Sequence, residues 1–508
     1  MQERFDVVIV GAGPAGCVLA ARLSEDPARR VLLLDAGPDY GPDRAAWPAE
    51  LLEPYHSEVE SHSWGYTQRA DGAGRLLALP RARVVGGCSA INACLWYRGS
   101  RIDYDGWAAA GNPGWSYDDL EPYFRRAESD PGGRPGYHGL TGPVRISRAP
   151  VLSPLDGAML ETAAELGFPL LEDLNGSPEQ IPCAGRTPKN VAEGVRWSAA
   201  LSYLALARPR SNFTLRPETL ARRVLCEDAR AAGVEAADGQ RFLAGEVIVS
   251  AGSYASPALL LRSGIGPPEH LGELGIPLVR ALPGVGEHLM DHPFIAPYTS
   301  DLTTFPMRQV GTPECPSFIQ AMIKGRSRVS AQEIDLHLYP RQKFDEERGR
   351  WLFGWGVSLQ FARSLGRVRL ASPDPAAAPL IDHNYFGDPL DLQGLLDAIE
   401  LAFRLVETRP LADLVEPPRR RSRAELEAIV RAEVGTTFHP SSTCRMGPAS
   451  DPGAVVDAEG RVHGVSGLRV VDASIFPSGP RCNLHNPVVA VAERMADVIR
   501  GRAPEDVV

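Results

Sequence analysis

The chain opens on an apolar run, Asp6-Val7-Val8-Ile9-Val10, long enough for one buried strand of a parallel sheet. Gly11, Ala12, Gly13, Pro14, Ala15 and Gly16 follow as a G-x-G-x-x-G. Val18, Leu19, Arg22 and Leu23 then recur at the spacing of an amphipathic helix. A second apolar run, Val31 to Leu34, ends in Asp35. The glycines have separate tasks: Gly11 permits a tight turn, Gly13 lets the backbone approach a pyrophosphate, and Gly16 lets helix pack on strand. The helix N-terminus turns free N–H groups and a positive dipole end towards phosphate. Asp35 stands where an acid accepts from ribose hydroxyls. The pattern predicts a βαβ unit that binds a dinucleotide, and by itself suits FAD or NAD.

Residues 41–80 carry many Pro, Gly and polar residues and read as loop and cover. Helices are predicted over 115–128, 153–168, 198–207, 256–263 and 391–408. From Asn212 the pattern alternates, as in a β-meander returning to the nucleotide sheet, and Val247-Ile248-Val249 is a buried strand leading into Ser250-Ala251-Gly252. The stretch 296–350 is the least patterned, with strands expected at 333–339 and, just beyond it, 354–362. Arg419 to Arg421 with Arg423 is the one basic cluster, and Ser422 and Glu425 beside it have capping-box spacing, so it reads as a solvated helix start.

At 508 residues the chain exceeds one ordinary core, and two domains are expected. Its net charge of −10 argues against a nucleic-acid partner, which needs a basic face. Eight cysteines, 17, 88, 94, 183, 226, 315, 444 and 482, form neither a CxxC pair nor a zinc-ligand spacing, so no metal site is expected and they read as free thiols of a reducing compartment. The fold begins by residue 5, which leaves no room for a signal peptide, and no apolar run approaches a membrane span. A soluble, cytoplasmic protein is expected.

Three further stretches carry a family resemblance. The first is Arg83-Val84-Val85-Gly86-Gly87-Cys88-Ser89-Ala90-Ile91-Asn92, followed by Trp96, Gly99 and Asp105-Gly106-Trp107. The second runs from Gly252-Ser253-Tyr254-Ala255-Ser256-Pro257 to Gly264-Ile265-Gly266. The third joins Phe438-His439-Pro440, Thr443-Cys444-Arg445-Met446-Gly447, Val470 to Ser474, and Asn483 to Asp497. With the N-terminal fingerprint these resemble the glucose–methanol–choline (GMC) flavin oxidoreductases from residue 5 to 500.

The resemblance implies an α/β, two-domain architecture: a Rossmann-like FAD-binding domain interleaved with a substrate domain built on an antiparallel sheet. It divides the chain into 1–152, 213–295 and 426–508 for FAD and catalysis, and 153–212 and 296–425 for substrate. FAD is expected against Gly11, Gly13, Pro14, Ala15, Gly16, Asp35 and Ala36, against Arg83, Val85, Gly86, Gly87, Ser89, Asn92, Ala93, Cys94 and Leu95, beside Val224, Ala251 and Gly252, and at Asp472, Ala473, Asn483, Asn486 and Pro487. Relatives that attach FAD covalently do so through a histidine before the loop's asparagine; Ile91 stands there, so FAD is expected to be non-covalent. Cys88 replaces a small hydroxyl or glycine and reads as a packing variant.

An imidazole titrates near working pH, as general-base catalysis requires. The resemblance assigns that role to His439, which takes the hydroxyl proton while hydride passes from the alcohol carbon to flavin N5. Fourteen residues before Asp497 stands Asn483, in the place of the family's second catalytic residue, where an amide can orient the substrate oxygen. His485 is expected to support the pair, His288 and His292 to belong to a structural motif, and His337 and His383 have no motif support. Ser441 and Ser442 depart from the family's apolar residue and glycine. Phe438 is a candidate for controlling oxygen or substrate access, and Trp355, Ser358, Gln360 and Phe361 for the pocket roof.

The expected activity is an FAD-dependent alcohol oxidase or dehydrogenase giving an aldehyde or ketone. Its partners are a small primary alcohol, aromatic or heteroaromatic, and O2 or another electron acceptor. The alternatives are a redox-silent GMC relative such as a hydroxynitrile lyase, or an NAD-dependent dehydrogenase.

Overall fold

The computed structural model describes residues 3–54, 60–69, 75–296, 298–301, 319–331, 333–345, 347, 349–416 and 419–502. Its fold is mixed α/β, built on two large sheets.

In the first sheet the strands Phe213–Arg216, Val31–Leu34, Arg4–Val10 and Arg241–Val249 run parallel in that order. Arg230–Ala236 and Ala221–Glu227 extend it antiparallel as the expected meander, and Leu468–Val470 returns from the far end of the chain to pair with Arg241–Val249. Val8, Ile9, Val31 to Leu34 and Val247 to Val249 are fully buried, as continuous apolar strands covered on both faces should be.

The fingerprint helix, Pro14–Leu23, departs from the amphipathic pattern predicted for it: Ala15 to Ala21 and Leu23 are all buried. Helix His485–Arg500 covers it, and Arg22 meets the buried Glu493 there with Nε–Oε2 at 2.9 Å and Nη2–Oε1 at 2.8 Å. Arg126 and the Tyr203 hydroxyl complete the pairing of Glu493. The polar position within the apolar pattern is therefore an internal ion pair and not a solvent face.

The second sheet follows the order Gly435–Thr436, Pro293–Ile295, Arg350–Leu359, Leu336–Asp345, Ala321–Gly325, Cys183–Arg186, Leu170–Leu171, with Tyr298–Asp301 also on Arg350–Leu359. It is antiparallel except at Leu170–Leu171. Helices Pro389–Val406 and Pro154–Glu165 pack on one face against Phe353, Trp355, Val357 and Leu359. Two long strands thus lie where short ones are predicted at 333–339 and 354–362.

Three other regions differ in detail from the sequence pattern. Within 41–80, Tyr66–Arg69 and Leu76–Leu79 form a hairpin. A π-turn, Ala200–Leu204, opens the helix expected over 198–207. Helix Gly252–Arg262 starts earlier than predicted, because Gly252 takes φ +85° and turns the chain directly off its strand. The capping box of helix Arg423–Glu433 is present at Ser422 and Glu425. Seven cysteines are free thiols, and Cys315 lies outside the described residues. No helix among the described residues is long and apolar enough to cross a membrane.

A buried charge cluster joins Glu128 and His138, which precede helix Pro154–Glu165, to Arg98 and to Asp173, which follows it. His138 sits with Nδ1 2.6 Å from Glu128 and Nε2 2.8 Å from Asp173, and Arg98 also pairs with Glu128. These carboxylates overcome the cost of burial and raise His138 to about 9. Folding therefore favours its protonated form. That stabilisation is complete below the ordinary histidine range and is lost as pH rises through about 9. Between pH 6.5 and 9 the melting midpoint is expected to fall, with a histidine share of about 2 kcal/mol. His138→Gln should flatten that part of the profile in scanning calorimetry, and an unchanged slope would contradict the assignment.

Candidate active site

A cavity of about 360 Å³ joins the C-terminal edge of the first sheet to the open face of the second. Gly11, Gly13, Pro14, Ala15, Asp35, Ala36, Ala251, Gly252, Asp472 and Ala473 line it from the first sheet. Gly87, Ser89, Asn92, Ala93 and Leu95 line it from the glycine-rich loop. His439, Asn483, Phe438 and Gln360 line it as well, and with them Ser358.

The fingerprint folds for backbone reasons. Gly11 has φ +102°, and a Cβ there would lie 2.4 Å from the Ser250 carbonyl oxygen. A Cβ on Gly16 would meet the Gly11 oxygen at 1.9 Å, so helix and turn touch through backbone. A Cβ on Gly13 would meet nothing within 4 Å, which leaves that backbone open to a ligand. Asp35 accepts from Ala12 N at 2.8 Å and Gly37 N at 2.7 Å, which holds it at the cavity wall. Burial nevertheless pushes its carboxyl above the usual range.

The catalytic candidates are fixed by a single carboxylate. Asp291 Oδ1 accepts the N–H of His439 and that of His292, both at 2.9 Å. Its Oδ2 accepts the Tyr385 hydroxyl at 2.7 Å and the Thr436 hydroxyl. Thr436 Oγ1 in turn accepts the Phe438 N–H at 2.6 Å. These bonds hold Phe438 at φ +64°, a left-handed conformation that costs a bulky residue about 1–2 kcal/mol.

His439 Nδ1 lies 2.9 Å from His292 Nδ1 and 3.0 Å from Thr437 Oγ1. The Thr437 hydroxyl donates to the His292 carbonyl at 3.0 Å, so towards His439 it accepts. The network therefore assigns the proton to Nδ1 and leaves a lone pair on Nε2. Asn483 Nδ2 stands 3.1 Å from that lone pair, and its Oδ1 has no protein partner. Burial, and then the neighbouring His292, Arg81 and His337, keep the His439 imidazole well below its ordinary pKa. His292 is held down to about 4, again chiefly by burial. Both rings are neutral at physiological pH, the form a base needs.

Several expected contacts lie off the cavity wall. Trp355 faces the opposite side of its strand, buried in the helix-covered core with Phe353, Val357 and Leu359. The strand's twofold alternation sends Ser358 and Gln360 to the cavity and Trp355 away from it. Phe361 packs under the Arg481 guanidinium at 4.1 Å, outside the cavity. Val224 is buried, and its N–H donates to Ser263 Oγ at 2.8 Å, while Thr219 to Ala221 line the cavity in its stead. Gly16, Arg83, Val85, Gly86, Cys94, Asn486 and Pro487 support the wall from behind. Arg83 bonds the Ala36 carbonyl, Val85 N the Pro38 carbonyl, and Gly86 N the Ala12 carbonyl.

Other residues of the site escaped sequence reasoning. His292 was expected to be structural, yet its ring touches that of His439. The signal was present: Asp291-His292-Pro293 and Phe438-His439-Pro440 are the same dipeptide twice. His337, Tyr339, Arg341 and Phe294 line the cavity, as do Arg81 and Cys88, which meet at 3.8 Å. His383 bonds Tyr254 instead, at 2.8 Å. His485 stands edge-on to Trp96 and reaches Asn92 at 3.4 Å.

The residues fit a bound FAD. Among the described residues, Ser250 Oγ, Asn483 Oδ1 and His485 Nε2 on the cavity wall are buried without a protein partner, and such groups call for a polar ligand. The open backbone at Gly13 and the acid at Asp35 suit its diphosphate and ribose.

A family model described as GMC oxidoreductase matches residues 5–294, and the C-terminal model of the same description matches 362–492. Mitochondrial choline dehydrogenase of Homo sapiens is 39% identical over 99% of this chain and 90% of its own length. Oxygen-dependent choline dehydrogenase of Sinorhizobium medicae is 36% identical over 98% and 96%. The crystal structure of pyridoxine 4-oxidase from Mesorbium loti superposes with a TM-score of 0.88 at 31% identity, covering 98% of this chain and 100% of that one.

Asp291→Asn keeps the side-chain shape but sets an amide N–H₂ against groups that all donate. It is expected to destabilise the protein by about 2–3 kcal/mol in urea unfolding, and an unchanged midpoint would remove Asp291 from the centre of the site.

Proposed function

The chain belongs to the GMC oxidoreductase family and is an FAD-dependent alcohol oxidoreductase, and we propose that it oxidises a small primary aromatic or heteroaromatic alcohol with His439 as the base. The observation that carries this reading is the unprotonated Nε2 of His439, paired at 3.1 Å with the Asn483 amide on the cavity wall.

His439 Nε2 takes the hydroxyl proton of the alcohol. The Asn483 N–H₂ can turn from His439 to donate to the substrate oxygen. Asp291, Thr437 and His292 hold the ring, so the lone pair stays aimed into the cavity. Bound FAD supplies the two-electron acceptor for the carbinol hydride, which leaves the carbonyl product. Ile91, on the wall, offers no nucleophile for a flavin bond, and this supports non-covalent FAD.

The aromatic substrate reading draws on the cavity's own rings. Phe294 and Tyr339 are stacked at 6.4 Å with planes 17° apart, and Phe438 lies beside the base. Tyr339 and Phe438 provide flat surface for a ring. The pyridoxine 4-oxidase named above acts, by its name, on a heteroaromatic compound.

Anaerobic addition of benzylic, furfuryl and pyridine-type alcohols to the yellow holoenzyme is expected to bleach the flavin. His439→Ala should keep the flavin yet slow bleaching by about 10²–10⁴-fold. A flavin that no alcohol reduces would overturn the reading, and equal rates in His439→Ala would move the base elsewhere.

A further inference from the structure

We propose that the preferred alcohol carries an anionic group, a carboxylate on the far side of its aromatic ring from the carbinol, and that Arg341 receives it. The inference rests on the reading above and names the substrate class of that site.

Strand Leu336–Asp345 turns His337, Tyr339 and Arg341 to the cavity, while Leu336 and Leu338 face the core. Opposite Tyr339 and Arg341 the neighbouring strand has Gly356 and Gly354. A Cβ at Gly356 would lie 2.3 Å from the Tyr339 ring, so that glycine makes room for the ring. His337 marks the catalytic end, because it pairs with Ser358, which on its other side pairs with Phe294, two residues from His292. Arg341 stands four residues further along the strand, about 13 Å away. An aromatic ring and the arginine side chain together bridge that interval.

Arg341 has a cation to offer. Its guanidinium lies over the Phe294 ring at 5.7 Å, and among the described residues no carboxylate pairs with it. Among the described residues of the cavity wall the carboxylates are Asp35 and Asp472. Asp35 serves Ala12 and Gly37, and Asp472 accepts from Gly252 N, Ser256 Oγ and Ser474 N. Asp291, behind His439, is filled by four donors. Among the described residues the substrate end thus offers an unpaired cation and no uncommitted carboxylate.

That arrangement is unsuited to a quaternary ammonium alcohol. Such a ligand needs an open aromatic face, and the face of Phe294 already carries a guanidinium that would repel it. A planar carboxylate has the opposite fit, because the guanidinium fork bonds it with two parallel N–H groups. This separates the chain from the choline in the names of its relatives.

The test compares 4-(hydroxymethyl)benzoate, its methyl ester and choline on the holoenzyme. The benzoate should exceed the ester in kcat/KM by at least about tenfold, and choline should be the poorest. Arg341→Gln should lose about tenfold on the benzoate through KM and change little on the ester, and Arg341→Lys should recover part of the loss. Equal losses on both substrates would make Arg341 structural and overturn the proposal, as would an ester preference in the unaltered protein. Binding of the unreactive 4-methylbenzoate, followed by calorimetry, gives a second readout independent of turnover. It should weaken about tenfold in Arg341→Gln, and unchanged binding would overturn the proposal even if no alcohol reduces the flavin. Reduction by the ester but not the benzoate would leave the alcohol reading standing and this one fallen.

Discussion

The site depends on the Asp291 carboxylate. Each of its oxygens takes two donors, and the donors come from three segments: His292 next to it, Tyr385, and the loop that carries Thr436 and His439. Strand pairing brings these segments near one another, since Pro293–Ile295 and Gly435–Thr436 are neighbours in the second sheet. The carboxylate converts that proximity into a fixed geometry. It holds the histidine loop closed although Phe438 sits in a conformation it would not adopt alone. A buried charge normally costs stability; here four hydrogen bonds offset the cost, and an amide in its place would leave the donors at one oxygen facing an N–H₂.

Around this hub, burial does chemical work. Three imidazoles, His292, His337 and His439, sit close together away from water, and desolvation is the largest influence holding each below the usual histidine range. For His337 and His439 crowding adds to it, because a neighbouring ring penalises their protonated forms. The result is a base kept neutral, with Thr437 and His292 fixing its tautomer. The two sheets divide the remaining tasks. The first brings a glycine turn and an acid to its C-terminal edge, where dinucleotides bind in doubly wound folds. The second turns alternate residues of two long strands towards the same cavity and gives the others to a helix-covered core.

Much of this was legible in the sequence because local chemistry and local geometry coincide there. The fingerprint strand, turn and helix are contiguous, and Gly16 is required by its contact with Gly11 five residues earlier, although the contact that requires Gly11 is with the distant Ser250. His439 and Asn483 were found through motif likeness, and the fold brings them within 3.1 Å across 44 positions. Long-range facts were not legible. Asp291 and His292 look like ordinary members of a loop until the strand pairing brings them against His439. Trp355 and Phe361 were chosen as aromatics near the right strand, but which face a residue takes depends on register, and register depends on the partner strand. Arg22 read as the polar edge of a surface helix because its partner, Glu493, is 471 positions away.

The central claim is that His439 is a neutral, positioned base. It is tested most directly by the pH dependence of anaerobic flavin reduction at saturating alcohol, followed from pH 4.5 to 8. A base whose pKa is depressed stays unprotonated into acid, so the rate should hold level through pH 6.5 and fall only well below it. A rate that already declines at or above pH 6.5 would show an ordinary, solvated histidine and contradict the account.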